Sequence, residues 1–137
     1  MTVLFLCTGN SARSQMAEGL LRALAPPGWP VFSAGTHPVG LNPNAVAVMK
    51  ELGLDISSHR SKSLAEVPPD PDVAITVCDN AARECPVFPG KVRRLHWPLD
   101  DPAAHQGSPE EVRQAFRAAR DDLRRRIEEF LHQSKVE

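Results

Sequence analysis

Apolar residues run together at the start of the chain and then change period. Val3-Leu4-Phe5-Leu6 is unbroken by any polar residue, the pattern of a strand buried on both faces of a parallel sheet. Gly9 and Asn10 interrupt it. Met16, Ala17, Leu20, Leu21 and Leu24 then recur at helical spacing, until Pro26-Pro27-Gly28 stops the pattern. Val31-Phe32-Ser33-Ala34 predicts a second strand, closed by Gly35. Asn42-Pro43 opens a second helix with a capping side chain and a proline in the first turn; Ala45, Met49 and Leu52 form its inward face, and Gly53 ends it. β-Branched residues crowd into Val73-Ala74-Ile75-Thr76-Val77, the third strand, and residues 92–95 predict a fourth. The last helix is announced by Ser108-Pro109-Glu110-Glu111, a capping box with proline at the first helical position. Val112, Phe116, Ala119, Leu123, Ile127 and Phe130 follow at spacings of three and four, with acidic residues at the start and Arg124–Arg126 later, as the helix dipole favours. Beyond Leu131 the charged residues are expected to fray.

Strands alternate with helices throughout. The expected fold class is therefore α/β, a four-stranded parallel sheet flanked by helices on both faces, with residues 1–137 forming one domain. A formal net charge of −1 points to neither a nucleic-acid partner nor a polybasic membrane surface. No run of about 18 apolar residues exists to span a bilayer, and residues 3–7 are too short and too uncharged in front for a signal peptide. A soluble, cytoplasmic monomer is the expectation. No cofactor or metal is implied by spacing: His37, His59, His96 and His105 are scattered and read as structural or solvated, and Trp97 as core.

Candidate chemistry concentrates directly after the first strand, where this fold class binds ligands. The segment is Cys7-Thr8-Gly9-Asn10-Ser11-Ala12-Arg13-Ser14, a cysteine and an arginine six positions apart. A loop entering a helix can turn several backbone N–H groups inward, making an anion nest at the positive end of the helix dipole. Gly9 permits the backbone angles such a loop needs. Arg13 can grip two oxygens of a tetrahedral anion with its planar fork. The same field favours the thiolate of Cys7, the nucleophilic form, and Ser14 can donate its hydroxyl to that sulfur. Residues 8–13 are the expected oxyanion binders. A nucleotide-type phosphate loop is excluded, because no Gly-Lys-Ser/Thr ending is present.

The chain has three cysteines, and the other two are Cys78, after the third strand, and Cys85, seven residues later. Residues 79–84 have helical character, which would separate the two thiols by about 10 Å along a helix axis. A disulfide needs its Cα atoms within roughly 7 Å, so the pair can oxidise only if the segment unwinds. Spacing leaves two readings open, a redox pair or two buried thiols that never meet; it is poor spacing for zinc.

The segment Phe5-Leu6-Cys7-Thr8-Gly9-Asn10-Ser11-Ala12-Arg13-Ser14-Gln15-Met16-Ala17-Glu18 closely resembles the thioredoxin-coupled arsenate reductases, relatives of the low-molecular-weight protein tyrosine phosphatases. The resemblance continues through Ser33-Ala34-Gly35, Val77-Cys78, Cys85-Pro86, His96-Trp97 and Asp100-Asp101-Pro102. It implies that Cys7 attacks arsenate, that Cys78 attacks Cys7 as arsenite leaves, and that Cys85 ends the relay in a Cys78–Cys85 disulfide reduced by thioredoxin. Phosphate or sulfate would compete for the loop. The family's acid is the aspartate before the proline, here Asp101, on the side of the sheet that carries Cys7; Asp100 is the fallback.

Two departures modify the carry-over. Related phosphatases show tyrosine soon after the acid, whereas Ala103 and Ala104 follow here and the chain has no tyrosine. Some family members bind potassium beside the loop. Asn10, Glu18 and Ser33 match positions used there, but Lys62 stands where an aspartate helps hold the ion, so its ammonium is expected to replace potassium. The alternative reading is a low-molecular-weight phosphomonoesterase using Cys7, Arg13 and Asp101, with Cys78 and Cys85 passive. A third is a non-catalytic oxyanion sensor signalling through oxidation of Cys7.

Overall fold

The apolar run at the N-terminus forms β1 (Val3–Cys7), every residue of which is buried. A strand apolar on both faces belongs at the centre of a parallel sheet. β2 (Val31–Gly35) lies on one side of it and β3 (Val73–Thr76) on the other, with β4 (Arg93–His96) outermost beside β3; all neighbours are parallel. The structure, a computed structural model, describes residues 1–78 and 91–136, with side chains in the last helix as far as Ser134. The helix expected over 79–84, and Cys85 with it, lies outside the described residues.

Strand order β2-β1-β3-β4 means that the chain leaves β1 for one side and later crosses back to the other. The carboxyl end of β1 is thus a topological switch point, where connections diverge and leave a crevice. The register pairs Cys7 with Gly35, Leu6 with Thr76, and Thr76 with His96, so these strand ends lie abreast.

Three described helices pack on one another: α1 (Arg13–Leu24), α2 (Pro43–Lys50) and α3 (Pro109–Val136). α1 buries the expected apolar face but also Ser14, Gln15 and Glu18, polar residues of its first turns. The caps form as their sequences require. Asn42 Oδ1 accepts the Asn44 N–H at 2.8 Å, and Ser108 and Glu111 bond reciprocally at 3.2 and 3.4 Å. α3 does not fray after Leu131, contrary to the sequence expectation, but continues to Val136. Leu131 still packs against the core, and the Ser134 hydroxyl donates to the Phe130 carbonyl at 3.0 Å. β4 sits one residue later than expected. Trp97 is half-buried and packs against the core, its ring 6.0 Å from Phe5 and 6.2 Å from Phe130.

A charged clasp joins α2 to α3. Glu51, just past α2, accepts from Arg117 at 2.8 Å and from Arg120 at 2.8 Å, while Arg120 also donates to the Val48 carbonyl. Hydrogen bonds from Arg117 and then Arg120 hold the Glu51 carboxyl down from 4.5 to about 2. A carboxyl lowered by folding stabilises the fold above its unfolded value and loses that contribution as pH falls through its folded value. The clasp should therefore act fully above pH 4.5 and fade toward pH 2. Glu51→Gln is expected to lower the melting temperature at neutral pH and to flatten its decline between these limits, as thermal melts across the acid range would show.

Candidate active site

Six consecutive carbonyls are turned out of the loop, those of residues 7–11 toward neighbouring segments and that of Ala12 along α1. They accept from Thr36 N, His37 N, Val39 N, Ser61 Oγ, Asn42 N and Met16 N in turn, at 2.7–3.4 Å. In a trans peptide the N–H of the next residue points opposite to each carbonyl. The amides of residues 8–13 therefore face inward, toward the space in front of Cys7, at the N-terminus of α1. Inward amides at a helix N-terminus are an arrangement suited to an anion.

Asn10 is the fulcrum of this loop. It is fully buried and lies at φ 46°, a region that few side chains other than asparagine enter readily. The Lys62 backbone N–H can only donate, so the Asn10 atom 2.8 Å away is Oδ1, and Nδ2 faces Ser14 Oγ at 2.8 Å and Ser33 Oγ at 2.9 Å. Because Ser14 Oγ accepts from Asn10, its own proton is available to the Cys7 sulfur 2.8 Å away. Ser33, by the same logic, donates to Glu18 Oε1 at 2.9 Å. The Ser14 hydroxyl thus lies within hydrogen-bonding distance of the Cys7 sulfur and can donate to it.

Gly35 makes the loop possible from the other side. A Cβ there would meet the Thr8 carbonyl at 2.6 Å and the Asn10 nitrogen at 2.9 Å, both backbone atoms. Gly35→Ala must push the loop away from β2. It is expected to weaken anion binding and to cost roughly 1–3 kcal/mol of stability, measurable by phosphate titration and denaturant unfolding.

Arg13, the first residue of α1, donates to the Leu99 carbonyl at 3.0 Å and lies 3.8 Å from the Asp101 carboxylate. It thereby links the oxyanion loop to the loop after β4. Asp101 uses Oδ1 to cap the short helix Pro102–Ala104, accepting from Ala103 N at 3.0 Å, and turns Oδ2 toward Arg13. Cys7 and Cys78 are both reduced and buried, and the Thr8 hydroxyl lies 3.4 Å from Cys78 Sγ. The structure brings Ser14 to Cys7, Asp101 to Arg13 and Cys78 to Thr8, the residue next to Cys7. Of the catalytic residues singled out, Cys85 alone falls outside the described residues.

Sequence reasoning missed a supporting layer behind the loop. Thr8, an expected anion binder, also brings its hydroxyl to the second thiol. Gln15, Ser61 and His59 were given no part in the site. Gln15 donates to Asn10 and to the Arg60 carbonyl, and His59 Nδ1 lies 3.1 Å from Gln15 Oε1 and 3.3 Å from Glu18 Oε2. Burial, opposed by Glu18, holds the His59 imidazole below its usual range. The Lys62 ammonium lies 3.7 Å from Glu18 Oε1 and 3.1 Å from the Arg60 carbonyl. Nothing in periodicity marks these contacts, and those that tie Gln15 and Glu18 to residues 59–62 join positions more than forty apart; the unusual burial of polar residues in the first turns of α1 is the trace they leave.

A cysteine on an amide-lined loop, an arginine at the helix start and an aspartate facing it define a class of oxyanion-handling enzyme. The chain belongs to the low molecular weight phosphotyrosine protein phosphatase family, whose model it matches over residues 2–137. Among its relatives it is 46% identical to an arsenate reductase of Bacillus subtilis, covering 97% of this chain and 96% of that one. Solved structures point the same way. One of an arsenate reductase in an oxidized state aligns with a TM-score of 0.81 at 30% identity, over 96% of this chain and 97% of the other. Another, of an arsenate reductase in a phosphate-binding state, aligns with a TM-score of 0.77 at 31% identity, over 96% and 97% respectively.

Proposed function

We propose that this chain reduces arsenate to arsenite through a relay of Cys7, Cys78 and Cys85, with thioredoxin as the final reductant. The observation that carries the reading is the Cys78 thiol, buried beside the Thr8 hydroxyl at 3.4 Å and so one residue from the nucleophile. Phosphoester hydrolysis needs a cysteine, an arginine and an acid. A second thiol at the rim of the loop is what reduction adds. Nearly full-length similarity to arsenate reductases supports the same substrate.

The inward amides of residues 8–13 and Arg13 bind arsenate as a tetrahedral oxyanion, and phosphate or sulfate compete for the same donors. Cys7, receiving the Ser14 hydroxyl proton in a hydrogen bond, attacks arsenic, and an As–S bond forms. Asp101 protonates the departing oxygen, which leaves as water. Cys78 then attacks the Cys7 sulfur. The As–S bonding pair stays on arsenic, which passes from As(V) to As(III) and departs as arsenite, while Cys7 and Cys78 become a disulfide. Cys85 attacks Cys78 and releases Cys7, and the resulting Cys78–Cys85 disulfide is reduced by thioredoxin. The chain works as a monomer in this scheme, and a reducing compartment such as the cytoplasm keeps the thiols available. Among the described residues no helix is long and apolar enough to cross a membrane.

The test is NADPH consumption on adding arsenate to this protein with thioredoxin and thioredoxin reductase. Sustained consumption is expected. Hydrolysis of a phenyl phosphate ester without any NADPH consumption would replace the reading by a phosphatase.

Potassium should not matter to this chain. The Lys62 ammonium already faces the Glu18 carboxylate, where its charge serves as a bound cation would. Exchanging sodium for potassium is expected to leave melting temperature and turnover unchanged, and a rise in either would refute the substitution of lysine for the ion.

A further inference from the structure

We infer that Gln15 is a positioning residue for the oxyanion loop and that His59 locks its amide in the working orientation. The inference rests on the reading of residues 8–13 as the anion site and asks what keeps that site in shape.

The Gln15 side chain is fully buried at the start of α1. Its Nε2 lies 3.2 Å from the Asn10 carbonyl, 3.0 Å from Asn10 Oδ1 and 3.0 Å from the Arg60 carbonyl. Two of these three partners are main-chain oxygens, which only accept. The amide nitrogen must therefore face them, and Oε1 must face His59. His59 Nδ1 sits between Oε1 and the Glu18 carboxylate, two acceptors, so Nδ1 carries a proton. The direction of every hydrogen bond from His59 to Asn10 is thus set by two backbone carbonyls.

That chain matters because of what Asn10 does. Its left-handed backbone sends its carbonyl outward and the following N–H inward. Gln15 and the Ser61 hydroxyl, at 2.7 Å, hold the carbonyl there. Without the Gln15 amide the peptide between Asn10 and Ser11 loses a support and can rotate. A rotated peptide presents a carbonyl to the anion in place of an N–H, exchanging attraction for repulsion. An amide turned the wrong way would do similar harm, setting Oε1 against the oxygens of Asn10; the His59 proton opposes that turn.

The proposal is tested by titrating inorganic phosphate into the full chain by calorimetry, with thermal melts alongside. The proteins are wild type, Gln15→Met, His59→Ala and the double variant. Gln15→Met keeps length and apolar volume but removes donors and acceptor. It is expected to weaken phosphate binding by about tenfold or more, as loss of a buried hydrogen-bonded support predicts. His59→Ala should weaken it as well, by less. The double variant should bind no more weakly than Gln15→Met, because residues acting through one another are not additive. A merely structural role for His59 would instead give additive losses.

Phosphate affinity within about twofold of wild type in folded Gln15→Met overturns the proposal, and so does additivity in the double variant. Should Gln15→Met not fold, His59→Ala decides alone, and unchanged affinity there overturns it. Wild type that binds no phosphate would sink the anion-site reading and this inference together, whereas wild type that binds alongside variants that bind equally sinks the inference only.

Discussion

Replacing Cys85 by serine is expected to confine the protein to a single turnover on arsenate. Cys7 can still attack and Cys78 can still displace arsenite, so one arsenite should be released per chain. The chain then stops with Cys7 and Cys78 joined. Both cysteines are buried, at 3% and 4% exposure, so an external dithiol protein has poor access to that bond. NADPH consumption through thioredoxin should cease after the burst, and two thiols should disappear from a titration of the quenched protein. Hydrolysis of a phosphate ester should survive, because it draws on Cys7, Arg13 and Asp101 alone. Cys7→Ser provides the contrast, with both activities abolished. Continued steady consumption by Cys85→Ser would overturn the relay.

Arg13→Lys should produce the second large loss. Arg13 already donates to the Leu99 carbonyl while lying 3.8 Å from Asp101, and the planar fork has further donors for two oxygens of a bound anion. A lysine ammonium is a single point of charge and cannot make those contacts together. Turnover is expected to fall about a hundred- to a thousandfold, the scale seen when one donor to a developing charge is removed. Phosphate binding should weaken in parallel. A lysine variant within about tenfold of wild type would show that the amides of the loop, not the guanidinium, carry the anion.

The extent to which this site could be read in advance depended on how far apart its parts lie in the chain. The stretch from Cys7 to Ser14 is contiguous, and its chemistry follows from residue type and from the strand-to-helix transition around it. Asp101 and Cys78 are remote, but each follows a strand of the parallel sheet, β3 beside β1 and β4 beside β3, and parallel strands bring their carboxyl ends to one edge. The layer behind the loop obeys no such rule. His59, Ser61 and Lys62 belong to an irregular segment whose position relative to Asn10 is set by long-range packing and hydrogen bonds. His59 in particular looks like any scattered surface histidine until its Nδ1 is found 3.1 Å from Gln15.

By itself the sequence determined the element types, the parallel sheet and the candidate for the nucleophile, because periodicity, capping residues and the cysteine–arginine spacing are local quantities. It placed α3's end too early, since the apolar signal fades before the hydrogen bonds do. Only the tertiary structure decided the direction of the hydrogen bonds running from Lys62 N–H through Asn10 and Ser14 to Cys7 sulfur, and the meeting of Arg13 with Asp101. Those depend on long-range contacts in which a donor finds its acceptor across the fold, and one-dimensional spacing carries no record of that distance.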